Sequence, residues 1–161
     1  MFSLFKTATF EDGRLGALTR SGGHWKGRIA LGQHGSVELS LAGGRQSPDS
    51  ASLALARDLP ARYAALLPQI QSSLFEHYEP YRDAESAGDL PRGSEPFPKI
   101  ERAEDVWPHV FAEWVRVEPL RGSPEDGPIV EIAYRVAWDE EHTVGARIQE
   151  WKLFELCGSV I

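Results

Sequence analysis

The chain has one cysteine, Cys157, and one methionine in 161 residues, and no apolar run approaches the roughly 20 residues that a membrane-spanning helix requires. A single thiol excludes an internal disulfide, and its setting in FELCGSV predicts a small buried core residue rather than a reactive one. There is no GxSxG elbow and no Ser-x-x-Lys set; SGGHWKG lacks the spacing of a nucleotide fingerprint, and Gly22 and Gly23 read as a hairpin turn. Basic residues are scarce: 17 Lys and Arg stand against 24 Asp and Glu, and the net charge of −7 repels phosphate backbones. Neither nucleic acid nor a membrane is an expected partner. The opening MFSLFKTATFEDG has too short an apolar run for a secretory signal, so the expected compartment is the cytoplasm.

What is present is enough for a core: 42% of the residues are hydrophobic, and the length suits a single domain over residues 1–161. The first 42 residues alternate in short runs broken by EDG and SGG, which predicts an antiparallel β-meander. In HGSVELSLA, Val37, Leu39 and Leu41 share one face and Ser36, Glu38 and Ser40 the other, the period of a half-buried strand. A helical block follows, with Ser47 as cap, Pro48 at the first position and Asp49 in the first turn. Its inward stripe is expected at Tyr63, Leu67, Ile70, Leu74 and Tyr78. Pro60 and Pro68 each lack a donor N–H, so consecutive helical pieces are expected. Residues 86–99 read as an exposed loop, ERAEDVW as one helical turn, and FAEWVRVEPL, PIVEIAYRVAW, VGARIQ and KLFELCG as strands. The predicted class is α+β: an N-terminal antiparallel meander, central helical segments and C-terminal antiparallel strands, with the helices packed on one face of the sheet.

The stretch WDEEHTVGARIQEW, residues 138–151, holds the chemistry-bearing candidates Asp139, Glu141 and His142. Carboxylate and imidazole both ligate metals and transfer protons near neutral pH. On a regular strand, however, Asp139 and Glu141 point one way and Glu140 and His142 the other, so the groups converge only if a bulge intervenes. A solvated strand end, with Trp138 packed inward and the polar residues organising a bend, is the preferred reading. Gly145 then provides a positive φ or the close approach of a neighbouring strand. The remaining histidines, 24, 34, 77 and 109, form no metal-ligand spacing; His24 and His34 are placed to meet across a hairpin at best, and His77 reads as a helix-end residue. Of the five tryptophans, Trp138 and Trp151 flank the acidic stretch and are the binding candidates. No catalytic residue, metal or cofactor is assigned, and nothing sets an oligomeric state.

The segments HWKGRIALG, VELSL, SSLFEHYEPYR, AEDVWPHV and WDEEHTVGARIQEWKLFELCG resemble an uncharacterised family of small bacterial domains with a Trp-Asp-x-Glu-His-x-x-Gly signature. Here the signature falls on Trp138, Asp139, Glu141, His142 and Gly145, and Gly158 matches the glycine after the last strand. The sequence departs from the pattern at Glu150 and Trp151, where a glycine-containing turn is usual. The resemblance implies a small α+β domain without established chemistry, of a kind also found among toxin-immunity and other interaction proteins. The expected function is therefore an immunity-like binding module for a protein partner with a basic surface. The alternative is a metal-dependent hydrolase using Asp139, Glu141 and His142.

Overall fold

The computed structural model describes residues 6–91 and 93–161. Met1–Phe5, part of the segment read for targeting, and Arg92 lie outside the described residues. Eight strands form one sheet in sequence order: β1 (Thr9–Asp12), β2 (Gly16–Ser21), β3 (His24–Ala30), β4 (Ser36–Leu41), β5 (Val110–Pro119), β6 (Pro128–Val136), β7 (Asp139–Gln149) and β8 (Lys152–Cys157). All neighbours are antiparallel except β4 and β5. Parallel neighbours need a long crossover. It is supplied by α1 (Ser50–Ala87), the loop after it and a 3-10 segment, Ala103–His109. The fold is mixed α+β, as the alternation of turn-rich and helical stretches predicted.

The helix starts later than expected. Asp49, not Ser47, is its cap and accepts the Ser52 N–H at 2.9 Å. Pro48 instead bridges Gly43, and a Cβ at Gly43 would lie 2.6 Å from the Pro48 backbone, so only glycine admits this crossing. Gly88, at φ 76, ends the helix in the left-handed conformation. Between these points α1 runs unbroken for 38 residues through Pro60, Pro68 and Pro80, correcting the expectation of separate pieces. All three prolines sit on the exposed side, where a helix that wraps a core lengthens its hydrogen bonds toward water and a missing donor is best tolerated.

The inward stripe is Leu53, Ala56, Leu59, Tyr63, Leu66, Ile70, Leu74 and Tyr78; Leu66 replaces the expected Leu67, which is half-buried. These residues share one hydrophobic cluster with Val37, Leu39 and Leu41 of β4, Val115 and Val117 of β5, and Val130, Ile132, Tyr134 and Val136 of β6. Each buried aliphatic side chain of this kind stabilises the fold by about 1.5–3 kcal/mol, so the stripe fixes α1 on the sheet. Inside the cluster the Tyr63 and Tyr134 hydroxyls bond each other at 2.8 Å. The alternate residue Glu131 engages Arg147 at 2.6 Å instead.

The β7–β8 hairpin closes through Glu150 and Trp151, with φ of 51 and 57, so two bulky residues take the left-handed values that a tight two-residue turn demands. Trp138 lies in the β6–β7 turn rather than in a strand and is 4% exposed. Gly145 has no positive φ; it admits Val160, whose side chain would be 2.7 Å from a Cβ there, and the Val160 N–H bonds Thr143 O at 2.8 Å. Close approach was foreseen, but it comes from the chain after β8 and not from a strand. Cys157 is half-buried on β8 at the sheet's edge, not a core residue, and its thiol donates to Ser159 O. No helix among the described residues is long and apolar enough to cross a membrane.

Candidate functional site

Between β6 and β7 the register shifts: Arg135 pairs with Thr143, but Val136 pairs with Asp139, leaving residues 140–142 as a bulge. This is the irregularity a regular strand lacked. It swings His142 back over Asp139, and the imidazole Nδ1 sits 3.0 Å from both carboxylate oxygens. Asp139 also accepts the Tyr81 hydroxyl at 2.6 Å and the Glu141 N–H at 3.3 Å. Burial pushes the Asp139 carboxyl up, but the bonds from Tyr81 and His142, the His142 charge and the Glu141 N–H together hold it below its ordinary value. Tyr81 moves the other way: burial, the bond to Asp139 and the charges of Asp139 and Glu141 push its hydroxyl to about 12, so it stays a donor.

Behind this group, the Trp138 indole N–H donates to His77 Nδ1 at 3.0 Å, and the His77 and Tyr81 rings lie 5.3 Å apart. Accepting that bond keeps His77 Nδ1 unprotonated, so the ring is neutral with its hydrogen on Nε2. Burial lowers the His77 pKa, Asp139 opposes the shift and His142 adds to it. His77 lies inside α1 and is held by Trp138, which corrects its reading as a helix-end residue. His24 and His34 do not meet either. His24 bonds Glu118 at 2.8 Å, while His34 is set among Tyr63, Trp107 and Tyr134.

The group opens on a cleft of about 650 Å³ between residues 90–91 and 93–97 on one side and the β6–β7 turn on the other. Glu140 ties the two walls together by accepting the Ser94 hydroxyl at 2.9 Å. Glu85, Glu95, Asp139, Glu140 and Glu141 line the cleft with Tyr81 and Phe97, and no lysine or arginine does among the described residues. The sequence candidates therefore divide. Asp139 and His142 come together and Trp138 supports them through His77. Glu141 contributes its backbone N–H and its charge, while its side chain stays exposed. Trp151 belongs to a different groove, beside Leu55, with the Arg62 guanidinium 5.2 Å from its ring centroid.

Tyr81 and His77 were missed. Their signal was present as positions 77, 81 and 85, an i, i+4 series on one side of a helix, but it gains meaning only once the β6–β7 turn is placed against that side. Chemically, an aspartate-oriented imidazole can take a proton through its other nitrogen. No Ser or Cys side chain is hydrogen-bonded to His142 among the described residues, and no group of three His, Cys, Asp or Glu is placed to hold a metal ion. The walls themselves offer carboxylates to a cation.

No curated protein and no solved structure matches the chain. A domain of unknown function does, over residues 14–159, and the chain belongs to that family, DUF6985.

Proposed function

We propose that the chain is a protein-interaction module, immunity-like in kind, that captures a basic segment of a partner in the cleft beside the β6–β7 turn. The observation that carries this reading is the charge of the walls, with five carboxylates on one cleft in a chain of net charge −7. Such a surface attracts a cationic partner at long range. Tyr81 and Phe97 add aromatic faces against which a guanidinium can stack. The Asp139, Tyr81 and His142 bonds are satisfied within the group, so they act as scaffold for the walls. Part of the same reading is that the helical segments cover one face of the sheet and leave β8 at its open edge.

Titration calorimetry with an oligo-arginine peptide tests it. Binding at low salt should weaken at least tenfold near 1 M, where the screening length falls to about 3 Å, and should weaken likewise in the Glu140→Gln/Glu141→Gln double variant. Absence of binding at low salt overturns the proposal. The double contact between His142 and Asp139 favours one second reading, hydrolysis with Asp139 and His142 as base. In its metal-dependent form, purified protein retains stoichiometric Zn²⁺ or Mn²⁺ and loses it on His142→Ala.

A further inference from the structure

β8 is the last strand of the sheet, so one row of its backbone N–H and C=O groups faces away from β7. On that side, a groove of about 420 Å³ separates it from α1, lined by Ser73, Glu76 and His77 of the helix and by Phe154, Glu155 and Leu156 of the strand. Strand and helix run alongside each other in the same direction. The Leu153 N–H donates to Gln69 Oε1 at 2.9 Å near one end, and Gly158 lies against His77 near the other. The Gln69 carboxamide is thus a side-chain acceptor placed where a neighbouring strand would offer a carbonyl. That amide is therefore capped by the helix, and the edge offered to an added strand is the part of β8 beyond Leu153.

The groove also leads somewhere. Ser73, His77, Tyr81 and Glu85 follow at i, i+4 along α1; the first two line the groove and the last two line the acidic cleft. Twelve residues of helix span roughly 18 Å, the reach of five or six residues of extended chain. We infer that β8 is a strand-addition edge: an extended basic segment of a protein partner pairs with it in the groove beside α1 and continues into the cleft. This rests on the reading of the chain as a binder of basic segments and names how the segment is held. Backbone pairing gives the affinity, as in other edge-strand recognition, and Glu76 selects for lysine or arginine beside the helix, whereas the Glu155 carboxylate is already held by Arg147 at 2.8 Å.

The test uses an end-capped octapeptide of alternating lysine and valine, and two versions N-methylated on alternate amides of one edge or of the other. N-methylation removes a donor without changing charge. If β8 takes a strand, one version binds about tenfold more weakly, the worth of a lost buried hydrogen bond, while the other stays within about twofold of the parent peptide. Backbone amide NMR shifts should move at residues 153–157. Glu76→Lys, at an exposed helix position, should weaken binding of the parent peptide, and Gln69→Ala should not. Equal binding of all three peptides overturns strand addition but leaves capture of basic segments standing; no binding by any of them overturns both. Concentration-dependent self-association that protects the β8 amides would instead assign the edge to a second copy.

Discussion

The two ends of the sheet solve the same two problems with different chemistry. Each has an aspartate with little exposure, Asp12 at the end of β1 and Asp139 at the start of β7. Each has a hairpin closed by two residues at positive φ, Gly22 and Gly23 between β2 and β3, Glu150 and Trp151 between β7 and β8. At the β1 end the solutions are economical: Asp12 pairs with Arg57, a permanent cation, and accepts the backbone N–H groups of Arg14 and Leu15 at 2.9 Å, while glycines take the unusual φ. At the β8 end Asp139 is held by a phenol and an imidazole, and a glutamate and a tryptophan occupy the turn. Departures from local rules concentrate where structure serves something besides folding. The cleft lies at that second end, while β1 and β8 are both edge strands.

The largest expected effect is at Trp138. Its ring is buried against Tyr78 and its N–H holds His77, so Trp138→Ala should cost roughly 3–5 kcal/mol as a core truncation that also frees a half-buried imidazole. Denaturant midpoints measure it, and a loss below about 1 kcal/mol would mean that the second end is not organised around this ring.

Acid should separate the two aspartates next. The Arg57 hydrogen bond, opposed by burial and helped by the Leu15 and Arg14 N–H groups, lowers the Asp12 carboxyl from 3.8 to about 2. A depressed folded-state pKa contributes stability that is fully present above the unfolded value and lost as pH falls through the folded one, so Asp12 weakens its end only between pH 3.8 and about 2. Asp139 is depressed in the same sense, but it bonds His142 and Tyr81 and its charge acts on the nearby His77. Burial lowers the pKa of His77 from 6.5, so the unfolded state takes up that proton first and stability at this end starts to fall below pH 6.5. His34, lowered by burial among its aromatic neighbours, adds to the same slope. Amide exchange between pH 7 and pH 4 should therefore accelerate around the β6–β7 turn while β1 and β2 stay protected. His77→Gln should flatten part of that slope; a fully retained slope would contradict it.

These contrasts mark what the sequence could carry. Alternation in VELSL places β4, because a period of two is a local property, the long run PIVEIAYRVAW after the GSPEDG turn places β6, and the Gly22–Gly23 pair announces its own turn. The unbroken α1 was hidden because the tolerance of Pro60, Pro68 and Pro80 depends on which side of the helix the core occupies. The Asp139–His142 contact was hidden behind the 140–142 bulge, which exists only relative to the pairing of β6. Tyr81 lay 58 positions from its partner. His142→Ala is the smaller counterpart to Trp138→Ala: the ring is half exposed and its bond to Asp139 competes with water, so a loss near 1 kcal/mol is expected.

The two hairpins provide the smallest contrast. Both pairs of central residues take left-handed φ, at 58 and 82 for Gly22 and Gly23 and at 51 and 57 for Glu150 and Trp151. A side chain there costs about 1–2 kcal/mol against the following carbonyl, whereas glycine avoids that cost but loses roughly 0.5–1 kcal/mol through its freer unfolded chain. Glu150 is exposed and makes no side-chain hydrogen bond among the described residues, so Glu150→Gly should stabilise by about 0.5 kcal/mol. Trp151 faces the same strain, but its half-buried ring packs on the core and lies under Arg62, so Trp151→Gly should destabilise despite relieving the backbone. Opposite signs at adjacent positions in thermal melts would show that strain is held at this end for the sake of the tryptophan. Stabilisation by both substitutions would instead make the turn a plain defect, with no role for Trp151.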